Sequence, residues 1–286
     1  MKTVGLVNVK QYNKSYQRII KELGHKSILF DIYSDNLPAT IKKMDKKVDV
    51  YYWQSIDRGH YYRAKILDPV YYIEKYSPRK IFPDFNQVFT FNDKIKQYQL
   101  FQYLNIPTPK TFITTDKKKA LHYISKAKYP FVLKDPHSSS GLAVYLIKTK
   151  KQAKEIINKI FTPKGYNSLF SKFYAQDFIP NLDKSLRVIV IGSKTYCAYW
   201  RISPDDWKHH VGPGATVTDK NVPRSATRLC ERVSQKLGFH WMAYDILMKA
   251  GKPQMIEFSP NFGVTGARQL GYHPRREIIK YTIKHA

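Results

Sequence analysis

A mixed α/β fold, with an N-terminal parallel sheet followed by antiparallel hairpins, is what this 286-residue sequence predicts. Three observations carry the prediction. Short β-rich runs alternate with helical patterns through the first 53 residues, as βαβ units do. From Asn92 onward, helices interleave with strands that return around Ser- or Gly-bearing turns. The composition, 43% apolar and 14% aromatic, is that of a globular chain, and its length allows more than one lobe.

The elements follow in order. "TVGLVNV" (3–9) is the first strand, a helical pattern around Tyr16–Leu23 stops at Gly24, and "KSILFDI" (26–32) and "KVDVYYW" (47–53) are the next two strands. "NDKIKQYQLFQYLNIPTPKTF" opens with a helix capped by Asn92 or Asp93, with Tyr98, Phe101 and Leu104 on one face and Pro107 and Pro109 ending it. "YPFVLKD" (129–135) and "AVYLIK" (143–148) are strands joined by an "SSSG" loop, and "KKQAKEIINKIF" (150–161) is an amphipathic helix. "RVIVIGSKTYCAYWR" (187–201) turns at Gly192-Ser193 as a hairpin. "RSATRLCERVSQKLG" (224–238) is a helix with Ala226, Leu229, Cys230, Val233 and Leu237 inward and Gly238 as its stop. A last hairpin, "MAYDILMKAGKPQMIEFS" (242–259), turns around Gly251.

Composition excludes several classes. No apolar run approaches a membrane span, and the apolar core of "MKTVGLVNVKQYN" is too short for a signal peptide. Two cysteines argue against a disulfide framework and for a reducing, cytoplasmic setting. The net charge of +27 points to an acidic partner. An A/T-rich genome is the competing explanation, but it does not account for only six Glu beside so many Lys.

The last hairpin carries the chemistry. With the turn centred on Gly251, Asp245 lies opposite Glu257, and Ala243, Leu247, Met255 and Ser259 share their face. Tyr244, Ile246, Ile256 and Phe258 line the other. Like charges facing across a strand pair destabilise it, by roughly 4 kcal/mol at ~4 Å and an effective dielectric of ~20. Either one carboxyl is protonated, or cations sit between the two: Lys and Arg side chains of the protein, or Mg²⁺ with phosphate oxygens completing its shell. Ser259 is on the right face to be a third ligand, and Asn261 is the chemically better donor beyond Pro260. "KDPHSSSGLAV" (134–144) is a candidate phosphate cradle: Lys134 ends a strand, and backbone N–H groups and hydroxyls of Ser138, Ser139, Ser140 and Gly141 would face phosphate oxygens. The spacing is not that of a Walker A loop.

Taken in order, these pieces resemble the ATP-grasp ligases, in particular the RimK-type branch that joins amino acids to carboxylates. The resemblance runs through nearly the whole chain. It implies an ATP-grasp fold in which two lobes clamp ATP, with residues 1–91 as an N-terminal pre-ATP-grasp domain, 92–175 as the small lobe and 176–286 as the large lobe. Lys94 and Lys134 match the family's two phosphate-binding lysines. The Ser138–Gly141 loop matches its glycine-rich loop with two of three glycines replaced. "FYAQDFIP" (173–180) resembles the hinge that holds adenine, which implies Gln176, Asp177, Phe178 and Ile179. Arg187 and Arg201 match arginines near the transferred group, although the aspartate of the family's "DxR" is Ser185 here. A three-residue hairpin loop would put both arginines on one face and a two-residue loop would not. His210 stands where the family has an Asn, while adjacent strand positions keep His209 and His210 from chelating together.

Asp245 and Glu257 match the family's metal-binding acids, with Ser259 or Asn261 completing a Mg²⁺ site, or a Mn²⁺ site in its place. The implied reaction passes the γ-phosphate of ATP to a carboxylate and lets an amine displace phosphate. The implied substrates are small molecules or peptides, handled by a homo-oligomeric enzyme. An acidic macromolecular acceptor, such as a ribosomal protein or a nucleic-acid-linked group, is one alternative. A non-catalytic scaffold holding a polyanion is the other.

Overall fold

The computed structural model describes residues 1–7, 13–31, 36–53, 60–90, 93–136, 143–161, 172–180, 184–203 and 216–286. Asn92, Ser138, Ser139, Ser140, Gly141, His209 and His210 lie outside them.

Strands β1 (Thr3–Val7), β2 (Lys26–Phe30), β3 (Val50–Tyr52) and β4 (Lys80–Phe82) form a parallel sheet of order β2-β1-β3-β4. Helices α1 (Asn13–Glu22), α2 (Leu37–Asp45) and α3 (His60–Tyr76) make the crossovers. Gly24, at φ 77°, stops α1 as the sequence predicts, and Asn36 caps α2 by accepting from the Ala39 N–H at 3.1 Å. Two helices follow, α4 (Phe85–Thr90) and α5 (Lys94–Tyr103). Asp93 is the cap of α5, its Oδ1 accepting from the N–H groups of Ile95 and Lys96.

The second unit is a four-stranded antiparallel sheet, β5 (Thr111–Thr114), β6 (Phe131–Lys134), β7 (Val144–Ile147) and β8 (Phe173–Asp177), in the order β5-β8-β6-β7. Helices α6 (Lys117–Lys126) and α7 (Lys150–Ile160) bury Ala120, Ile124, Ala153 and Ile157 against its Phe131, Leu133, Phe173 and Ala175 face. Period two then sends Val132, Lys134 and Gln176 to the opposite face. The lobe boundary expected between residues 175 and 176 falls inside β8, which pairs with β5 through Gln176 and with β6 through Asp177. Ladder pairing keeps β8 continuous through Asp177.

The third unit is a five-stranded sheet, β9 (Lys184–Ile191), β10 (Lys194–Ile202), β11 (Thr216–Thr218), β12 (Trp241–Lys249) and β13 (Lys252–Ser259), ordered β11-β10-β9-β12-β13. Helix α8 (Arg224–Leu237) ends at Gly238 in the left-handed region and covers one face, burying Leu186, Val188, Tyr244, Ile246, Met255 and Phe258. Helices α9 (Thr265–Gln269) and α10 (Pro274–Lys284) cover part of the other face together with α1 and β3. The uncovered remainder of that face is where the charged groups gather.

Both hairpins of this sheet have two-residue turns and a bulge; the turn at Gly192-Ser193 is the expected one, and the bulges are not foreseen in the sequence. In β9–β10 the register slips at Tyr196, so Arg187 faces Tyr199 and Ser185 faces Arg201. The bulge does what a three-residue loop would have done, and both arginines share a face. In β12–β13 the turn is Ala250-Gly251, both at positive φ, and Ile256 is the extra residue. Asp245 still faces Glu257, as expected, but Met255 pairs with Ile246 and joins the apolar face. The expected placement of Met255 beside Glu257 is corrected by that one-residue slip.

Candidate active site between the lobes

Strand order and register build the site. Tyr199, Arg187, Asp245 and Glu257 are consecutive cross-strand neighbours on β10, β9, β12 and β13, a row across one face of the large sheet. Arg187 grips Asp245 through two bonds, Nε to Oδ1 at 2.6 Å and Nη2 to Oδ2 at 3.1 Å. Arg201 reaches the same Oδ1 through Nη2 at 3.1 Å and donates from Nε to Ser185 Oγ at 3.0 Å. The serine that replaces the family's aspartate thus positions Arg201. Burial pushes the Asp245 carboxyl up, but the two guanidinium groups outweigh it and hold it below the usual carboxylate range.

Glu257 is more open, and Lys94 Nζ lies 3.6 Å from its Oε2. The backbone N–H of Lys94 donates to the Pro136 carbonyl at 3.0 Å, tying α5 to the segment after Lys134. Lys134 is buried, and its Nζ donates to Gln176 Oε1 at 2.7 Å. Burial lowers the Lys134 ammonium to about 8, with Lys94 lowering it further while Glu257 and Asp245 pull it back. Four cations, Lys94, Lys134, Arg187 and Arg201, thus converge on two carboxylates. Of the alternatives for the facing acids, pairing with the protein's own cations is present: Lys94, Arg187 and Arg201 offset the repulsion.

The expected hinge residues divide. Gln176 spends its side chain inside the small lobe, since Nε2 donates to Thr111 Oγ1 at 3.1 Å while Oε1 holds Lys134. The Asp177 N–H donates to the Lys110 carbonyl at 2.8 Å and its side chain is exposed, whereas Ile179 is buried. Ser259 is committed to a local turn, donating to the Asn261 carbonyl at 2.6 Å and accepting from the Asn261 N–H at 3.1 Å. No cluster of three or more His, Cys, Asp or Glu forms a metal cage among the described residues. The donor set still fits a phosphate-borne Mg²⁺, because among the described residues the Glu257 carboxylate has only the 3.6 Å ion pair with Lys94 and Asp245 Oδ2 carries a single guanidinium bond.

Three contributors were missed in the sequence. Gln97 of α5 clamps the edge of β13: its Oε1 accepts from the Phe258 N–H at 3.0 Å and its Nε2 donates to the Phe258 carbonyl at 2.9 Å. Its only signal is its place one turn after Lys94 on a buried face. Tyr199 stands beside Arg187, and Gly266 of α9 passes so close that a Cβ there would lie 2.7 Å from the Tyr199 ring. Neither pairing has a sequence signature.

A parallel-sheet domain followed by two antiparallel lobes, closing a buried cation cluster over a carboxylate-bearing hairpin, is the architecture of ATP-grasp proteins. The sequence profile of the RimK-like ATP-grasp domain matches residues 91–282, and the chain belongs to that family and is an enzyme of its ligase class. Over 296 aligned positions it is 22% identical to the coenzyme γ-F420-2:α-L-glutamate ligase of Methanococcus maripaludis, covering 95% of this chain and 94% of that one. It is 26% identical to the α-aminoadipate–LysW ligase LysX of Saccharolobus solfataricus over 155 residues, 54% of this chain and 55% of LysX, so it spans about half the length of that relative. Among solved structures, the RimK-domain ATP-grasp protein of Sphaerobacter thermophilus superposes with a TM-score of 0.72 at 15% identity, covering 98% of this chain and 99% of that one. The D-alanine–D-alanine ligase of Bacillus anthracis reaches 0.71 at 13% identity, covering 99% and 97%. Among the described residues no helix is long and apolar enough to cross a membrane.

Proposed function

We propose that this enzyme uses ATP to activate a carboxylate as an acylphosphate and joins it to an amine, releasing ADP and phosphate. The observation that carries the reading is the cluster of buried Lys94, Lys134 and Arg201 with half-buried Arg187 around Asp245 and Glu257. Phosphoryl transfer asks the protein for positioning and charge neutralisation and needs no protein nucleophile. Lys94 and Lys134 receive the triphosphate oxygens, aided by the Ser138–Gly141 loop. The bonds described above use two N–H groups of each arginine, which leaves three per guanidinium for the transferred group and the acyl oxygen. Asp245 keeps both arginines aimed. On the adenine side, Phe178 and Ile179 supply the apolar wall, Asp177 the exposed polar edge, and Gln176 acts through Lys134.

Glu257 is the principal ligand for Mg²⁺ or Mn²⁺, with Asp245 Oδ2 second. Asn261 is a better third donor than Ser259, whose hydroxyl is engaged. A divalent ion there supplies Lewis-acid neutralisation of the phosphate oxygens. The names of the two relatives, one acting with L-glutamate and one with α-aminoadipate, favour an α-amino acid as one substrate and a small molecule or peptide as the other. The test is ADP release measured across a panel of amino acids paired with carboxylates and short acidic peptides. Turnover dependent on both a carboxylate and an amine supports the reading. ATP binding with no ADP from any pair counts against it and favours a scaffold that has lost ligation.

A further inference from the structure

Helices α6 and α7 form the outer layer of the small lobe. Strands β5 and β6 both run antiparallel to β8, and β7 runs antiparallel to β6. Helix α6 therefore descends from the end of β5 while α7 ascends from the end of β7, and the two pack side by side in opposite directions. Counted with their flanks, residues 115–128 and 148–161, they present ten lysines, every one exposed, against two acids, Asp116 and Glu155. Asp116 is spent as the α6 cap, accepting from the N–H groups of Lys118 and Lys119.

Five of these lysines, Lys117, Lys118, Lys119, Lys150 and Lys151, occupy the first turns of the two helices. There the helix dipole disfavours a cation, an effect that Asp116 offsets at α6 and no acid in the first turn offsets at α7, and a local rule broken in this way marks a surface shaped for something outside the fold. Because the helices are antiparallel, these first-turn lysines lie at opposite ends, and Lys126 and Lys159 occupy the last turns. Positive charge thus runs the whole length of a pair about 15–17 Å long. None of the five first-turn lysines has an ion-pair partner among the described residues.

The chemistry of the patch selects its partner. Protein–protein interfaces are built around buried aromatic or aliphatic anchors and are depleted of lysine. The large apolar side chains of α6 and α7, Leu121, Tyr123, Ile156 and Phe161, are all partly buried against the lobe's core and leave no such anchor exposed. A uniform sheet of flexible point charges matches a regular, dense polyanion, and the phosphate backbone of a nucleic acid is the one that needs no base-reading groups. We propose that the α6–α7 face docks the phosphate backbone of duplex nucleic acid, independently of sequence. This goes beyond the ligase reading and does not depend on it: Lys134 and Gln176 lie on the opposite face of the sheet, so ligation can fail with docking intact, and the reverse.

The test compares two quadruple variants of the full chain with equal charge change. One carries Lys118→Gln, Lys119→Gln, Lys150→Gln and Lys151→Gln; the control carries Lys42→Gln, Lys43→Gln, Lys46→Gln and Lys47→Gln in and after α2. Binding of labelled 20-base-pair DNA and RNA duplexes is followed by fluorescence anisotropy between about 50 and 200 mM salt. The parent is expected to bind both, with log affinity falling linearly in log salt. The face variant should lose at least about tenfold, with a salt slope shallower by about 0.9 for each phosphate contact removed, while the control stays within about twofold. Protection of the same lysines from acetic anhydride in the duplex-bound parent gives a mutation-free check. Equal losses in both variants would reduce the effect to bulk charge and overturn the localisation. Absence of duplex binding by the parent, or polyglutamate of matched charge binding more tightly than either duplex, would overturn the partner in favour of none or of an acidic protein.

Discussion

Lys134 is the residue on which burial and function conflict most openly. Its ammonium is lowered from 10.5 to about 8 because it is buried. Between those values the unfolded chain holds a proton that the folded chain has lost, so this group's contribution to stability rises with pH across that window. For ligand binding the sign is opposite. Phosphate oxygens favour the charged form, so binding takes up a proton, and ATP affinity should fall as pH rises through about 8. Calorimetric titration from pH 7 to 9.5 should show the decline in the parent and a weak, pH-independent affinity in Lys134→Met.

Glu257 is exposed enough to take a metal and free enough to lose its charge. Glu257→Gln should therefore lower ADP release by at least about 100-fold, the scale of one lost electrostatic contribution to catalysis, while the melting temperature holds. Unchanged ADP release would remove Glu257 from the site. Gly266→Ala should cost about 1–3 kcal/mol in chemical denaturation, because overpacking against the Tyr199 ring cannot relax without moving its neighbour Arg187.

At the scale of elements, two bulges decide the site. The Tyr196 bulge absorbs the one residue by which β10 exceeds its partner, so deleting Tyr196 would remove the bulge and still leave Arg201 opposite Ser185, on the face of Arg187. The expected outcome is that turnover and the Arg201–Asp245 pairing survive the deletion, read by ADP release. Helix α5 is equally specific, since Gln97 closes the open edge of β13 at the residue after Glu257. Gln97→Leu strands two backbone groups at about 1–3 kcal/mol each.

The alternating runs, the caps and the glycine stops made the elements legible, because each is a local signal. Asp93 and Gly238 stand where the pattern places them. The bulges were not legible. A one-residue slip leaves no mark in period-two patterning until the strands are paired, which is why Met255 was assigned to the wrong face.

For the whole molecule, the charge balance replaces the metal as the source of stability. Since Arg187, Arg201 and Lys94 already neutralise Asp245 and Glu257, chelation of divalent ions should abolish ADP release and leave the melting temperature unchanged. A large fall on chelation would show that the ion is structural. The net charge of +27 includes a share that faces the carboxylates and an exposed share, ten lysines of which lie on α6, α7 and their flanks.

What residue order alone determined is the inventory: a parallel-sheet domain, two carboxylates on one hairpin, and the order in which the elements come. Those follow from periodicity, turn chemistry and spacing, which act over a few residues. Only tertiary structure decided that Arg187 and Arg201 share a face, that both hold Asp245, and that Gln176 serves Lys134. The physical reason is that side-chain partners across a sheet depend on register and on strand order, and both are settled when separate segments pack and bury their apolar faces together.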